Sequence, residues 1–322
     1  MFSIFKTQQP ISIFAFFLFF IVIKIPFIFL TNIPIAPLQN LWDLKFNCST
    51  GYLLNFLIAQ VCLLVQALWL NYLFHKADYH ESNSMFPAVF FALLSAVLPT
   101  FNVLSVYLLM NFILLLLMQT FLSITTTENA KVECYNVGFL GGILLLLNIN
   151  YIPFILCLFL MLYAVKSFRI NDYFLLLFGI LTPIYLGLGI SYVAEISLNA
   201  DIFSWSNFYF LRIHYDILNC ISLITVVVFL LFSFISLRGI LFSVGFKRRK
   251  NFNMLVYFLI GIVLSVLWSG SLDETTFSLL FIPASIFLAL FMLRIRKRKL
   301  GEVLSVIFVV TIFIVNIVRI FK

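Results

Sequence analysis

A few polar groups stand out in a very apolar chain, and each suggests a particular chemistry. Lys24, in Ile21-Val-Ile-Lys-Ile-Pro26, is the one ionisable group set well inside an apolar stretch. An intramembrane charge is costly and is a functional hypothesis by default, here a hold on a phosphate or a pairing role. The passive alternative is snorkelling: about 20 Å along a helix from Ile11, its stem reaches toward the headgroups. Asp43 and Lys45 lie beside Trp42, Glu195 and Asp201 follow a later apolar stretch, and Arg212-Ile-His214-Tyr-Asp216 opens another. If residues 212–216 are helical, Arg212 and Asp216 are i,i+4 neighbours that can pair, while His214 points elsewhere. Each acid alone has a structural use, Asp216 at the positive end of a helix dipole and Asp273 as a cap for a helix near Thr276. Several acids with one His and one Arg on a single face make a joint case for a site. Asn148 and Asn150, in Asn148-Ile-Asn-Tyr-Ile-Pro153, add two amides and a helix breaker at membrane depth. Broken backbone is tolerated there only under protein or along a cavity, so an outward-opening cavity with these amides as substrate contacts is expected.

The elements that position these groups are transmembrane helices. The 322 residues are 64% hydrophobic and 10% charged, against about 45–50% and about 25% for soluble domains. A soluble class is excluded. Crossing about 30 Å of hydrocarbon takes about 20 apolar residues, and eight stretches qualify: 11–30, 52–74, 103–123, 173–193, 215–237, 252–268, 276–293 and 303–320. Met85 to Leu98 reads as a short span closed by the turn Pro99-Thr-Phe-Asn102. Residues 137–168 read as either one long helix or two half-length helices broken at Asn148–Pro153.

Charge decides between them, because short cytoplasmic loops carry the excess of Lys and Arg. With two half-length helices there are eleven spans, a cytoplasmic N-terminus, and fifteen of the 20 basic residues inside. Only Lys45, Arg212, Arg319 and Lys322 then lie outside. A single long helix lowers the ratio to 13 against 6. The +8 formal charge is therefore a statement about orientation and anionic headgroups, not nucleic acid. The expected architecture is all-α, a polytopic transmembrane bundle of about eleven spans forming one integral-membrane domain over 1–322. Its outer face, with Asp43, Glu195, Asp201, Asp216, Asp273 and Glu274 against four bases, is mildly acidic.

Several classes drop out. The chain has no Gly-rich phosphate loop, no His-Glu-x-x-His and no Gly-x-Ser-x-Gly, so nucleotide-driven pumping, zincin chemistry and a serine-hydrolase elbow lack support. Its five cysteines show no Cys-x-x-Cys spacing, and no metal or other cofactor is expected. Gly138-Phe-Leu-Gly-Gly142, and Gly187 with Gly189 after Pro183, read as close packing or a kink.

The spaced features Phe86-Pro87 to Leu98-Pro99, Asn136-Val-Gly-Phe-Leu-Gly-Gly142 through Asn150-Tyr-Ile-Pro153, Gly179-Ile-Leu-Thr-Pro183 and Phe281-Ile-Pro-Ala-Ser-Ile-Phe-Leu-Ala289 resemble a poorly characterised family of Phe-rich multi-pass proteins of bacterial inner membranes. The layout also resembles integral-membrane glycosyltransferases of the GT-C fold, with an inside N-terminus, a catalytic acid in the first outer loop, short early helices and polyprenyl-phosphate sugars as donors. That resemblance implies Asp43 as catalytic base and Lys24 or Arg212 near the donor phosphate. Site residues expected on this basis are Asp43 and His214 for catalysis, with Lys24, Lys45, Arg212, Asp216, Asn148 and Asn150 for substrate. Asp43 stands alone in its loop, where those enzymes commonly carry more acids. The partners expected are membrane lipids, a polyprenyl-phosphate sugar and other membrane proteins; the competing reading is a non-enzymatic scaffold or assembly partner, and a third is an ion-coupled transporter, for which Lys24 is the one intramembrane ionisable group.

Overall fold

The structure, a computed structural model, describes residues 5, 9–29, 52–80, 83–127, 129–166, 169–194, 217–237, 245–268, 274–295 and 298–321. The described chain is helical throughout, with no strand. Its helices are α1 (Pro10–Ile28), α2 (Tyr52–Lys76), α3 (Phe86–Leu94), α4 (Val106–Ile124), α5 (Lys131–Leu147), α6 (Ile152–Val165), α7 (Ile170–Val193), α8 (Ile217–Leu237), α9 (Phe246–Trp268), α10 (Phe281–Arg294) and α11 (Arg298–Phe321). Among the described residues, seven helices are long and apolar enough to cross a membrane. Apolar side chains cover the outside of α1, α2, α7, α8 and α11, which is where a bilayer and not water belongs. This is a multi-pass membrane protein.

One end of the bundle is basic. Asp78 ends the turn after α2 with φ 55°, and the Arg248 guanidinium of α9 donates to both its carboxylate oxygens at 3.1 Å. Beside it Asn251 donates to the Ala77 carbonyl (2.8 Å), and the Tyr79 hydroxyl donates to the Asn251 carbonyl (3.2 Å). Burial raises the Tyr79 phenol above its ordinary pKa, so it remains a donor. The basic run at 247–250 thus shares an end with Lys76, as the charge distribution requires.

Residues 131–165 settle as two helices. Asn148, at φ −155°, ends α5; a 3-10 turn follows at Ile149–Tyr151, and Pro153 sits in the first turn of α6, where its missing N–H costs nothing. The Phe154 N–H, left without a helical acceptor, donates to Ser265 Oγ of α9 at 3.1 Å. Lys131 and Lys166, at the far ends of α5 and α6, line one groove, so the chain doubles back. The helix pair is splayed, with α5 lying on α7 and α6 on α9.

Small residues set the α5–α7 seam. A Cβ on Gly138 would strike the Leu176 carbonyl oxygen, one on Gly179 the Tyr135 carbonyl oxygen, and one on Gly142 the Pro183 ring and, at 2.5 Å, the Ile180 carbonyl oxygen. The G-x-x-x-G reading therefore holds for Gly138 and Gly142. At Gly189, part of the pair read as packing or a kink, a Cβ would meet nothing within 4 Å among the described residues, while Gly187 and Ser191 on either side are buried.

At the centre are α3 and α10. All nine residues of α3 are buried, as is Phe281–Phe291 of α10, and Phe101 packs edge-on against Phe281 at 4.7 Å. The apolar stretch read as a span at Met85–Leu98 is shorter as a helix: α3 stops at Leu94 and continues as turns through Asn102.

Gly138→Leu should destabilise the detergent-solubilised protein by more than about 3 kcal/mol, the upper end of ordinary overpacking, because its clash is with backbone. Gly189→Leu should stay within about 0.5 kcal/mol. Thermal unfolding followed by size-exclusion chromatography reads both.

Candidate functional site

A helix leaves its last four carbonyls without intrahelical partners. In α3 the carbonyls of Phe91, Leu93 and Leu94 are met by the backbone N–H groups of Ser95, Ala96 and Val97; side chains meet the Ala92 carbonyl and those of the turn that follows, away from the basic end. The Ser95 hydroxyl donates to the Ala92 carbonyl at 2.8 Å. Asn102, returning through the 3-10 turn Pro99–Asn102, donates through Nδ2 to the carbonyls of Ser95 and Leu98, both at 3.2 Å. From α11, Asn316 donates to the Ala96 carbonyl (2.8 Å) and Arg319 to the Val97 carbonyl (3.0 Å). Arg319 also donates to Asn316 Oδ1 (2.6 Å) and, from its other terminal nitrogen, to Ser222 Oγ of α8 (3.3 Å).

Lys24 completes the cluster from α1. Its ammonium donates to Ser95 Oγ at 2.8 Å and Asn102 Oδ1 at 2.6 Å, with Gln60 of α2 donating to the same Oδ1 at 3.4 Å. The rings of Phe20 and Phe27 lie 5.7 and 5.6 Å from Nζ, within cation–π range. Lys24 is only 3% exposed. Of its two sequence-level readings, the snorkelling one does not describe this geometry: the stem turns inward, because the negative end of the α3 dipole and two neutral oxygens lie there. No carboxylate lies within ion-pair distance of it among the described residues.

Beside this cluster is a cavity of about 10 Å³ lined in part by Ser95, Ser105, Asn111 and Ser278. It is water-sized.

The other expected site residues divide in two. Asn148 is buried and its Oδ1 accepts the Asn150 N–H at 3.0 Å, so it holds the α5–α6 turn, with Ser265 taking the Phe154 N–H and Tyr151 buried beside it. Asn150 contributes that backbone N–H and lies half-buried. Asp43, Lys45, Arg212, His214 and Asp216 lie outside the described residues, as do Glu195, Asp201 and Asp273. No group of three or more His, Cys, Asp or Glu is placed to hold a metal among the described residues.

Sequence reasoning passed over Ser95, Asn102, Asn316 and Arg319. The signal for the last two was present: an amide and a guanidinium one turn apart near the end of an apolar helix, where headgroup contact is the default reading. Compared with protein-family models, curated proteins and solved structures, the chain matches none.

Magnitudes separate two substitutions. Lys24→Met removes the cost of a buried charge, about 2.5–3.5 kcal/mol on insertion scales, along with two hydrogen bonds to a charged donor worth about 1.5–3 kcal/mol each; the net change in stability should be within about 2 kcal/mol. Asn102→Leu leaves two buried carbonyls and the ammonium short of partners and should cost at least about 3 kcal/mol. Thermal unfolding in detergent measures both, and an Asn102→Leu protein as stable as the parent would contradict the capping role.

Proposed function

We propose that this multi-pass protein is a bacterial inner-membrane transferase of GT-C-like layout, acting at the end of the bundle opposite its basic runs on a polyprenyl-phosphate-linked sugar. The observation that carries the reading is the meeting of α1, α8 and α11 at one cluster: Lys24 on α1 and, through Arg319, Ser222 on α8 both reach the end of α3. The segment after α1 contains Asp43 and Lys45, and the segment before α8 contains Arg212, His214 and Asp216. The segments with the acid, the imidazole and the bases thus follow α1 and precede α8, two helices that each pack against α11.

In this reading Asp43 takes the proton of an acceptor hydroxyl as that oxygen attacks the sugar's anomeric carbon. The bond from that carbon to the phosphate oxygen breaks, and Lys45 and Arg212 hold the departing phosphate by charge. Lys24 contributes by holding the turn beneath the site, through its hydrogen bonds to Ser95 and Asn102.

A second reading, a non-enzymatic assembly scaffold, is favoured by that same enclosure of Lys24, which makes the one intramembrane cation of α1 a structural pin. The two diverge on Asp43→Asn. A transferase loses its glycolipid or glycan product at unchanged protein level, by about a hundredfold or more for loss of a general base. An unchanged envelope glycan profile, with co-purifying membrane subunits retained, would leave the scaffold standing.

A further inference from the structure

The basic end holds a second feature that the proposed transfer reaction does not use. The first turns of α5 and α7 and the end of α6 border a groove of about 540 Å³ lined by Lys131, Lys166, Arg169, Ile170 and Asp172, among others. Lys166 and Asp172 form an ion pair at 2.7 Å, both largely covered, and so supply a neutral floor. Lys131 and Arg169 are exposed and make no ion pair within 4 Å among the described residues, which leaves two cations at the rim of the groove beyond the Lys166–Asp172 pair. The unsatisfied N–H groups of two helix starts add to the same sign of potential.

An independent observation indicates what kind of anion fits. Ile170 is both a groove residue and the first member of an exposed apolar stripe on α7, continued by Phe174, Phe178, Leu181 and Tyr185. Their spacing, i, i+4, i+8, i+11 and i+15, keeps them on one side of the helix over about 22 Å. The stripe starts at the cationic groove and runs into the depth of the bilayer. A soluble anion has no use for it, and an acidic protein segment does not follow a helix through hydrocarbon.

We infer that the groove binds an anionic phospholipid, with the headgroup phosphodiester between Lys131 and Arg169 and the acyl chains along the α7 stripe. Basic pockets between transmembrane helices at the cytoplasmic surface suit such headgroups. The Lys166–Asp172 pair keeps the floor neutral, so that selectivity comes from the two free cations at the rim.

The full chain, purified in a neutral detergent, is titrated with dioleoylphosphatidylglycerol, dioleoylphosphatidylcholine or inorganic phosphate, reading thermal unfolding by tryptophan fluorescence and affinity by thermophoresis. Phosphatidylglycerol should raise the unfolding midpoint, and the other two should not. Lys131→Gln with Arg169→Gln should weaken phosphatidylglycerol binding about thirtyfold, from about fivefold per surface cation. The charge-matched control Lys76→Gln with Arg249→Gln should leave it unchanged, and the exchange Lys131→Arg with Arg169→Lys should retain it. Undiminished binding in the neutralised variant, an equal loss in the control, or an equal response to inorganic phosphate or phosphatidylcholine would overturn the assignment.

Discussion

A short helix that stops inside a membrane bundle has to have its last carbonyls bonded by protein. Each backbone group left unsatisfied in hydrocarbon costs several kcal/mol. The nine residues of α3 present this requirement at the centre of the molecule, and the positions of α1 and α11 follow from it. Asn316 and Arg319 take the carbonyls of Ala96 and Val97, Asn102 takes those of Ser95 and Leu98, and Ser95 takes that of Ala92. Within α3 the carbonyls of Phe91, Leu93 and Leu94 accept the backbone N–H groups of Ser95, Ala96 and Val97, and it is the carbonyls of the turn at 95–98 that are left to side chains. Lys24 then has a reason to be buried: it sits at the negative pole of the helix it helps to close.

The break between α5 and α6 meets the same requirement with smaller means. There the cap is local, Asn148 onto Asn150, with a single long-range donation from Phe154 to Ser265. The difference follows from length. α5 has 17 residues and α6 has 14, about 25 and 21 Å, so their turn comes near the end of the bundle, whereas α3 spans about 13 Å and ends deep. What α5 needs instead is close approach along its side, which Gly138 and Gly142 give it against α7.

Much of this architecture was legible in the sequence. Length and hydropathy locate the helices to within a few residues, since lipid demands a minimum apolar run. The basic residues fix the doubling-back at Asn148–Pro153, because only that choice puts Lys131 and Lys166 on one side. The inward turn of Lys24 was not legible. Its partners are 71 and 78 residues away, and neither a serine nor an asparagine in an apolar stretch declares that it will receive an ammonium. Arg319, counted in the sequence only among the outer bases, was not legible as a carbonyl donor for a related reason: near a helix end, a cation that meets headgroups and one that meets a carbonyl look alike in sequence. The proposed catalytic groups Asp43 and His214 were chosen by residue type and by resemblance, and they lie in segments outside the described residues.

The donor that closes Ala96 comes from a residue 220 positions further along the chain. At a synthesis rate of about 5–20 residues per second, the ribosome needs about 10–40 s to travel from one to the other. Through that interval the Ala96 carbonyl is without the donor that meets it in the finished protein, so the turn after α3 depends on a helix made long after it.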